Sequence, residues 1–579
     1  MSPADALVAR VRAGEPLDGA QIASLDLRGR NLSGAKLAGA MLVHVRLDGA
    51  DLSGADLSGA QLIECSLDDA MLDDADLRGS KVASSSLVRT DLRRCRLDDA
   101  KLAMCKLNGA RFDGATLVGT VIAKSELVAA SFSRARLTRV HLDTSILREA
   151  DFSFVVAEEA TFSKADLRSA RFLGATLDKS LFPAADLSGA SFEGATLQNT
   201  IFIGANLTRM RFSTNMVGCI FHEAYTLPDR AEPGAALDPD TRSLDLSGID
   251  LRAATLERCV FSGAILRGAD LREANLEGAF LDGCDLTDAR LEGAKLFRSV
   301  LKEAKLPGAD LRGLRLRLGM WMGADLSGAN LSGAHIDLSN LQESNLSGAN
   351  VKHAVFENMI LDQANLEGIV VDKTRFEKVG FEKLDMRKFP FDGLTMRACD
   401  FTKCDLSGMH IKDCDLSKSN FTEANLSRIT LERCSLKMAT AKKVNLEKAN
   451  LRGVAGKGAF FGEATLEGAS LREASLRYAL FTKANLKGTI FLDADLRDAM
   501  IDKASAHKAI FQSAKLVYAD LSHTDATGAD FSYANMRGAR VHNLKDAKAT
   551  YDGAITLLLR KTDVDLLEAE AYNPAREGQ

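Results

Sequence analysis

The sequence has little of the material from which most functional sites are built. Tryptophan occurs once, tyrosine six times and proline nine times in 579 residues, and every long apolar stretch is interrupted by charge. The start, MSPADALVARVRAG, lacks the apolar run of a signal peptide. These absences predict that the chain neither enters a membrane nor is secreted, and we expect a cytoplasmic protein.

An excess of charge of either sign is also absent. The formal net charge is −5, with 74 basic and 79 acidic side chains. Residues 51–100 have more acidic than basic side chains, and residues 401–550 have more basic than acidic ones. Both signs therefore occur along the chain. A strongly basic surface for nucleic acid is therefore not expected, and neither is a membrane-binding one.

What the chain has instead is a five-residue repeat. ADLSGADLSGAQL, from Ala55, shows the unit: a small residue, a polar residue, leucine, and two mostly polar residues. The leucine position, here called the central position, recurs from Leu17 to Val217 and again from Leu246 to Val541. Residues five apart point to opposite faces of a strand and drift by about 140° on an α-helix. All central residues can share one core only if the chain turns a corner in every unit.

Phenylalanine indicates how many units make one turn. In the first block it recurs at central positions with a spacing of twenty, and a second column lies ten residues out of phase. The first column is Phe112, Phe132, Phe152, Phe172, Phe192 and Phe212, and the second is Phe162, Phe182 and Phe202. Like residues stacked at a spacing of twenty predict four units per turn. The tryptophan, Trp321, also falls on a central position, so we expect it in the core.

The units ADLSG, ANLSG and ADLRG resemble those of the pentapeptide-repeat protein family. The resemblance covers most of the chain and implies an all-β solenoid, a right-handed quadrilateral β-helix with short capping helices at its ends. Four units per turn then predict about 25 coils in two blocks. In that fold the central residue and the small residue two positions before it point inward.

The register of the repeat suggests the domain organisation. Val217 and Leu246 are 29 residues apart, which is not a multiple of five, and the intervening segment is rich in proline. We predict an N-terminal capping helix at 1–16 and a first β-helix block at 17–221. A Pro-rich excursion loop or junction follows at 222–243. The second block spans 244–541, and 542–579 form a C-terminal cap with a short helix and a tail.

Both ends carry helix signals. Ser2 is expected as the N-cap of the first helix, Pro3 at its first position and Gly14 as its stop. At the other end, Thr562 is expected to cap a short helix whose Leu566 helps to close the core.

Residues that commonly carry chemistry follow the repeat and not the geometry of a site. Nine of the ten cysteines lie two positions before a central residue, the slot usually filled by Ala or Ser, so we interpret them as reduced core residues. The histidines never occupy a central position and are scattered over the surface. The sequence therefore predicts no catalytic residue, no cofactor and no metal site.

Departures from the repeat are more informative. The position before the central residue should face water, yet it is apolar at a spacing of twenty in the second block. The candidate partner-binding residues are Val260, Phe280, Val300, Leu318, Met320 and Met322. Leu181, Ile201 and Ile203 form a weaker candidate patch in the first block. Contiguous exposed apolar surface favours a binding site; the alternative is that the Pro-rich segment covers it.

A second departure concerns the inward small slot. Large residues fill it in one part of the second block, at Ile369, Val379, Leu384, Phe389 and Leu394. We expect these residues to widen or distort the β-helix there.

Three functions remain open, and none is enzymatic. The first is an interaction scaffold that binds a protein partner of unknown identity through the outer face of a β-helical rod; a homodimer also stays open. The resemblance suggests two alternatives. One is a bacterial accessory protein of type VI secretion, with an effector or spike component as partner. The other is a DNA mimic that modulates DNA gyrase, which the mixed charge and the great length of the chain disfavour.

Overall fold

The computed structural model describes residues 2–227 and 243–571. Within them the chain forms two compact units, Met1–Val300 and Leu301–Gln579, here called unit 1 and unit 2. Each unit is a parallel β-solenoid in which residues twenty apart pair from one turn to the next. The expected β-solenoid is thus confirmed. The predicted block boundaries rest on the repeat register and stay a prediction.

One repeat unit shows why this sequence forms a solenoid. Ala50 and Leu52 point inward and are buried. The Asp51 N–H donates to Arg30 O of the preceding turn, and the Leu52 N–H donates to Met71 O of the next turn at 2.7 Å. The Asp51 side chain faces outward, and its Oδ1 accepts the Ser53 N–H at 3.0 Å. Asp or Asn before the central residue therefore stabilises the corner that follows it.

Regular strands are short because the chain bends in every unit. Each strand has three residues, and the strands stack in parallel sheets of six (β1–β6), four (β7–β10), five (β11–β15) and two (β16–β17). Their bounds in unit 1 are β1 Gln21–Ala23, β2 Met41–Val43, β3 Gln61–Ile63, β4 Lys81–Ala83, β5 Lys101–Ala103, β6 Val121–Ala123, β7 Val156–Glu158, β8 Thr176–Asp178, β9 Thr196–Gln198 and β10 Asn215–Val217. In unit 2 they are β11 Arg315–Arg317, β12 His335–Asp337, β13 Val355–Glu357, β14 Arg375–Glu377, β15 Thr395–Arg397, β16 His410–Lys412 and β17 Thr430–Glu432.

The core of each unit is a set of stacked columns. The Phe rings at 112, 132, 152, 172 and 192 lie parallel, with neighbouring centroids 4.5 to 4.9 Å apart. Trp321 is fully buried, as its central position predicted. Four repeat units per turn are confirmed by the pairing.

The register of the repeat changes earlier than the sequence suggested. Asn215 pairs with Thr196, nineteen residues before it, so one residue is missing from the turn that contains Phe212. As a result Met216, and not Val217, occupies the buried central position. The expected centre at Val217 is therefore wrong, because Met216 and Val217 are both apolar and the five-residue count runs on through Val217 without revealing the deletion. Arg211 still pairs with Ser191, twenty residues before it, so Phe212 keeps the expected register, although it is only partly buried.

The solenoid of unit 1 continues on both sides of the Pro-rich segment. Asn215 pairs with Thr255 and Ile220 with Val260, forty residues apart. The Thr226 N–H donates to Ser243 O at 3.0 Å, which brings the two ends of the excursion together. These contacts favour the excursion loop over a junction. The loop itself, residues 228–242, lies outside the described residues, and so does the predicted tail at 572–579.

The two helices differ in how they attach to the solenoid. α1 (Pro3–Arg12) begins at Ser2, whose side chain accepts the Asp5 N–H, and it buries Val8 and Val11. The expected N-cap of α1 is confirmed.

α2 (Val564–Ala571) has no buried side chain, and Leu566 is 47% exposed. The expected sealing role of Leu566 is wrong. The cap of α2 is Asp563, whose Oδ1 accepts the Leu566 N–H. Thr562 instead accepts the Asn543 N–H. Neither helix in the described part of the chain has the length and apolar character of a membrane-spanning segment.

Candidate partner-binding surface

A single column of apolar side chains runs along one face of unit 1. The residues before the central positions pair in sequence from turn to turn, so their side chains stack on the outside. The pairs are Leu181–Ile201, Ile201–Ile220, Ile220–Val260, Val260–Phe280 and Phe280–Val300. We call Leu181, Ile201, Ile220, Val260, Phe280 and Val300 the apolar column. Leu181 and Ile201 of the weaker expected patch therefore share one surface of unit 1 with Val260, Phe280 and Val300 of the stronger one. The other members of the stronger patch, Leu318, Met320 and Met322, lie in unit 2.

Ile220 joins the two patches and was missed by sequence reasoning. The deletion near Phe212 moves it out of the five-residue phase, and the excursion separates it from Val260 by forty residues. Only the stacking of turns shows that it lies between Ile201 and Val260. The sequence nevertheless contains a sign of this change of phase. Phe221 and Leu246 are 25 residues apart, a multiple of five, so both lie in the phase of the second block.

The apolar column is accessible in the described structure. Phe280 is 41% exposed, and the other five side chains are partly exposed. Ile203, on the following outward position of the same face, is also exposed and widens the column. The pairing continues beyond Leu181 through Thr161 and His141, so polar side chains end the column on that side.

Charged side chains of both signs border the column. Arg258 and Arg298 stand at the corners that precede Val260 and Val300. Glu223 stands at the corner that follows Ile220. The Arg298 guanidinium lies 5.0 Å from the Phe297 ring centroid, which holds this arginine beside the column. An apolar strip with a polar border is the usual composition of a protein interface.

Unit 2 carries an apolar patch formed by Leu318, Leu338, Met320, Met322 and Ile360. Leu318 and Leu338 occupy the same corner of consecutive turns and are both exposed. Met320 is 47% exposed and pairs with Asn340, which in turn pairs with Ile360. Met322 is partly exposed. The sequence indicated Leu318, Met320 and Met322 but missed Leu338 and Ile360, although these lie twenty and forty residues from Leu318 and Met320.

The overfilled slots of unit 2 open the wall of the solenoid. Leu384 and Phe389 are buried where Ala is usual, and Pro390 has no N–H to donate to the preceding turn. A cleft of about 270 Å³ separates Ala364–Glu367 from Leu384–Phe389. Leu366, at a central position, is partly exposed in this cleft. The expected distortion is present here, and the Lys388 ammonium spans the two turns with an ion pair to Glu367 at 3.0 Å.

The cysteines are core residues of the solenoid. All ten are buried and unbridged. Burial raises the pKa of the Cys95 thiol to about 12, and its Sγ donates to Leu72 O of a neighbouring turn at 2.8 Å. Cys219, which also lies two positions before a true centre, packs beside Cys259, and the pKa of its thiol is raised by that neighbour and by burial.

One group of side chains in the described residues has the spacing of metal ligands. His523, His542 and Glu570 offer ligand atoms that lie within 4.8 Å of one another. The scattered histidines of the sequence did not suggest this group, because the two rings meet only through the stacking of turns and Glu570 lies on α2. The group is distant in sequence from the apolar column.

These features define a class of protein: a parallel β-solenoid built from five-residue units, with apolar strips on an otherwise polar exterior. The chain belongs to the pentapeptide-repeat family, since the family described as "Pentapeptide repeats (8 copies)" matches most of it. The matched residues are 17–54, 30–69, 70–103, 105–143, 145–182, 184–224, 245–283, 284–318, 322–358, 339–377, 399–437, 442–488, 479–516 and 507–543. A comparison with curated proteins finds no match.

Solved structures of family members are similar to parts of the chain. QnrB1, a plasmid-mediated fluoroquinolone resistance protein, is 18% identical; the match covers 33% of this chain and 97% of that one, with a TM-score of 0.20. HetL, involved in heterocyst differentiation regulation in the cyanobacterium Nostoc sp. strain PCC 7120, is 23% identical, with coverages of 51% and 95% and a TM-score of 0.16. Rfr23 from the cyanobacterium Cyanothece 51142 is 26% identical, with coverages of 22% and 89% and a TM-score of 0.13. At these TM-scores the similarities carry no argument about partners or activity.

Proposed function

We propose that this protein is a non-enzymatic interaction scaffold that binds a protein partner through the apolar column of unit 1. The family fits a scaffold or interaction role, and no catalytic family is indicated. The observation that supports a specific site is the uninterrupted pairing from Leu181 to Val300. This pairing puts six apolar side chains in one row of outward positions.

The energetics of the column favour association. Neighbouring turns of a parallel sheet are about 4.8 Å apart, so six side chains form a strip about 24 Å long. Apolar surface removed from water contributes about 25 cal/mol per Å². A rigid solenoid holds these side chains in place before a partner arrives, so little conformational entropy is lost on binding. A partner with an elongated apolar strip of its own is the expected ligand.

The proposal is tested by changing the column from apolar to polar. The variant Ile220→Ser/Val260→Ser/Phe280→Ser keeps the backbone pairing, because these side chains face outward. The matched control is Met438→Ser/Tyr518→Ser, which replaces exposed apolar residues outside both surfaces. Partners are cross-linked in native lysate and quantified by mass spectrometry, with circular dichroism as the check of folding.

We expect at least one partner that binds the wild type and the control to be lost from the column variant. If every wild-type partner also binds the folded column variant, the column is not the site. Adding Leu318→Ser/Met320→Ser to both the column variant and the control would test the unit 2 patch. No specific observation in the described residues favours the type VI secretion or the gyrase hypothesis, and both stay hypotheses.

A further inference from the structure

Three side chains meet where α2 lies against unit 2. The His523 Nε2 atom is 2.9 Å from a Glu570 carboxylate oxygen, and the His542 Nε2 atom is 3.3 Å from the same oxygen. The two imidazole rings belong to consecutive turns of the solenoid, and their centroids are 5.2 Å apart. Glu570 is the only member of this group that lies on α2.

The hydrogen-bond partners of each ring nitrogen indicate which of the nitrogens carry a proton. His523 Nδ1 is 3.2 Å from Asp502 Oδ1, so both nitrogens of this ring face carboxylates, which only accept. His523 therefore satisfies both contacts only as an imidazolium. His542 Nδ1 accepts the Asp563 N–H at 3.2 Å, so its single proton sits on Nε2 and is donated to Glu570. One extra proton, on His523, completes the whole network.

Protons fit this group better than a metal ion does. A histidine that binds a metal through Nε2 carries its proton on Nδ1 and donates it to a neighbouring acceptor. At His542 the neighbour of Nδ1 is itself a donor, the Asp563 N–H. With a metal on Nε2, a neutral His542 would carry its proton on Nδ1, and this N–H would face the Asp563 N–H. The only way to avoid that contact is to remove the second ring proton as well, which gives an imidazolate. The observed hydrogen bonds are therefore those of a protonated cluster.

The attachment of α2 depends on these polar contacts. None of its side chains is buried, and Val564 is 62% exposed. The described hydrogen bonds that join α2 and the residues just before it to the solenoid are those of Glu570 with the two histidines, of the Asp563 N–H with His542 and of the Asn543 N–H with Thr562. Leu567 is the one partly buried side chain of α2. Apolar burial therefore contributes little to keep the helix docked.

We propose that Asp502, His523, His542 and Glu570 form a proton-dependent clasp that keeps α2 docked on the solenoid while His523 is protonated. When His523 loses a proton, one of its nitrogens presents a lone pair to Asp502 or Glu570. With the lone pair on Nε2 the contact with Glu570 becomes repulsive, and with the lone pair on Nδ1 the hydrogen bond to Glu570 loses its positive charge. In both cases the docking of α2 weakens. We call this group the C-terminal clasp.

The direction of the pH dependence follows from the two titrating groups. The hydrogen bond to Glu570, together with that to Asp502, raises the pKa of His523 above its ordinary 6.5. Its contribution to docking is complete below about pH 6.5 and is lost as the pH rises through the raised pKa. The hydrogen bond from His523 lowers the pKa of Glu570 below 4.5, so its contribution is present above about pH 4.5 and is lost in acid.

Other charged groups near His523 do not alter this direction. The Lys503 ammonium is 3.9 Å from Asp502 and shares that carboxylate. Asp563, at the start of α2, directs its carboxylate to the Leu566 N–H. Docking is thus strongest in a window that opens above the pKa of Glu570 and closes above that of His523.

Hydrogen exchange of the full chain, followed by mass spectrometry at pH 6 and pH 9, tests the clasp. The measured quantity is the protection of the Val564–Ala571 amides, corrected for the intrinsic effect of pH on exchange. We expect protection to fall at least about threefold between pH 6 and pH 9. An unchanged value, or an equal fall in Glu570→Gln, would overturn the proposal.

Two further variants separate charge from structure. His523→Arg keeps a donor with a permanent positive charge, so α2 should stay protected at pH 9. His507→Gln removes a partly exposed histidine outside the clasp and should behave as the wild type. A metal ion is tested by adding zinc chloride or EDTA at pH 9. If zinc restores protection and EDTA removes it, the cluster is a metal site and the proton clasp is wrong.

Discussion

Cysteine serves in this chain as a small core residue that also donates a hydrogen bond. Cys404 Sγ donates to Phe381 O at 2.8 Å, and Thr90 Oγ1 makes the equivalent contact with Leu67 O at 2.8 Å. Cysteine and threonine therefore act alike in these two inward slots, because each donates to a carbonyl of a neighbouring turn. The spacing of cysteines by five and ten reflects the repeat.

Thiol reactivity should be negligible in the folded protein. A pKa of about 12, as for Cys95 and Cys284, leaves about one thiolate in 10⁴ at pH 8, and burial also blocks the reagent. With Ellman's reagent at pH 8 we expect no rapid reaction of the native chain and reaction of all ten thiols in denaturant. Rapid titration of several thiols in the native state would show that the inward slots open readily.

At the scale of structural elements, the Phe columns of unit 1 pack closely against one another in its core. The Phe172 ring stacks on Phe152 and Phe192 at 4.8 and 4.5 Å between centroids. It also meets the rings of Phe162 and Phe182 edge to face, at 6.1 and 5.9 Å. Such pairs contribute about 0.5–1.5 kcal/mol beyond their buried area.

Replacement of Phe172 should reveal this contribution. Phe172→Ala removes a ring with four aromatic neighbours and should lower the free energy of unfolding by about 3–5 kcal/mol. Phe172→Leu keeps most of the volume and should cost about 1–2 kcal/mol. Urea unfolding followed by circular dichroism gives both values. Phe154→Ala is the control, because that ring is 52% exposed and its loss should change stability by less than about 0.5 kcal/mol. Equal losses for Phe172→Ala and Phe154→Ala would contradict the assigned core.

At the scale of the whole molecule, unit 1 is a solenoid that accommodates a one-residue deletion and an excursion. Both are absorbed because each turn is held by its neighbours through backbone pairing, and pairing resumes as soon as the phase is restored. Ile220 and Val260 pair directly although forty residues separate them. The turns on the two sides of the excursion are therefore held together by their own backbone pairing.

Shortening the excursion should leave unit 1 folded. Replacement of residues 228–242 by a short Gly-Ser turn preserves the contact between Thr226 N–H and Ser243 O. Because a shorter loop loses less entropy on closure, the free energy of unfolding should stay the same or rise by about 1–2 kcal/mol. Urea unfolding monitored by circular dichroism is the measurement. Loss of the β-solenoid spectrum would show that the segment stabilises the turns around it.

The sequence alone determined the solenoid, its four units per turn, and the burial of Trp321 and the cysteines. These follow from a local rule, since each five-residue unit carries its own inward residues, its own outward Asp or Asn and its own corner. The same rule located Val260, Phe280 and Val300 as apolar residues on the exterior. The family follows from the same units.

Only the tertiary structure decided which turn stacks on which. It placed Ile220 between Ile201 and Val260, moved the centre from Val217 to Met216, and exposed Leu566, which the sequence had assigned to the core. It also brought His523, His542 and Glu570 together. These outcomes depend on contacts between residues nineteen to 47 apart, and a degenerate repeat offers several stackings of similar local quality. The choice among them is made by the packing of whole turns, which no single unit encodes.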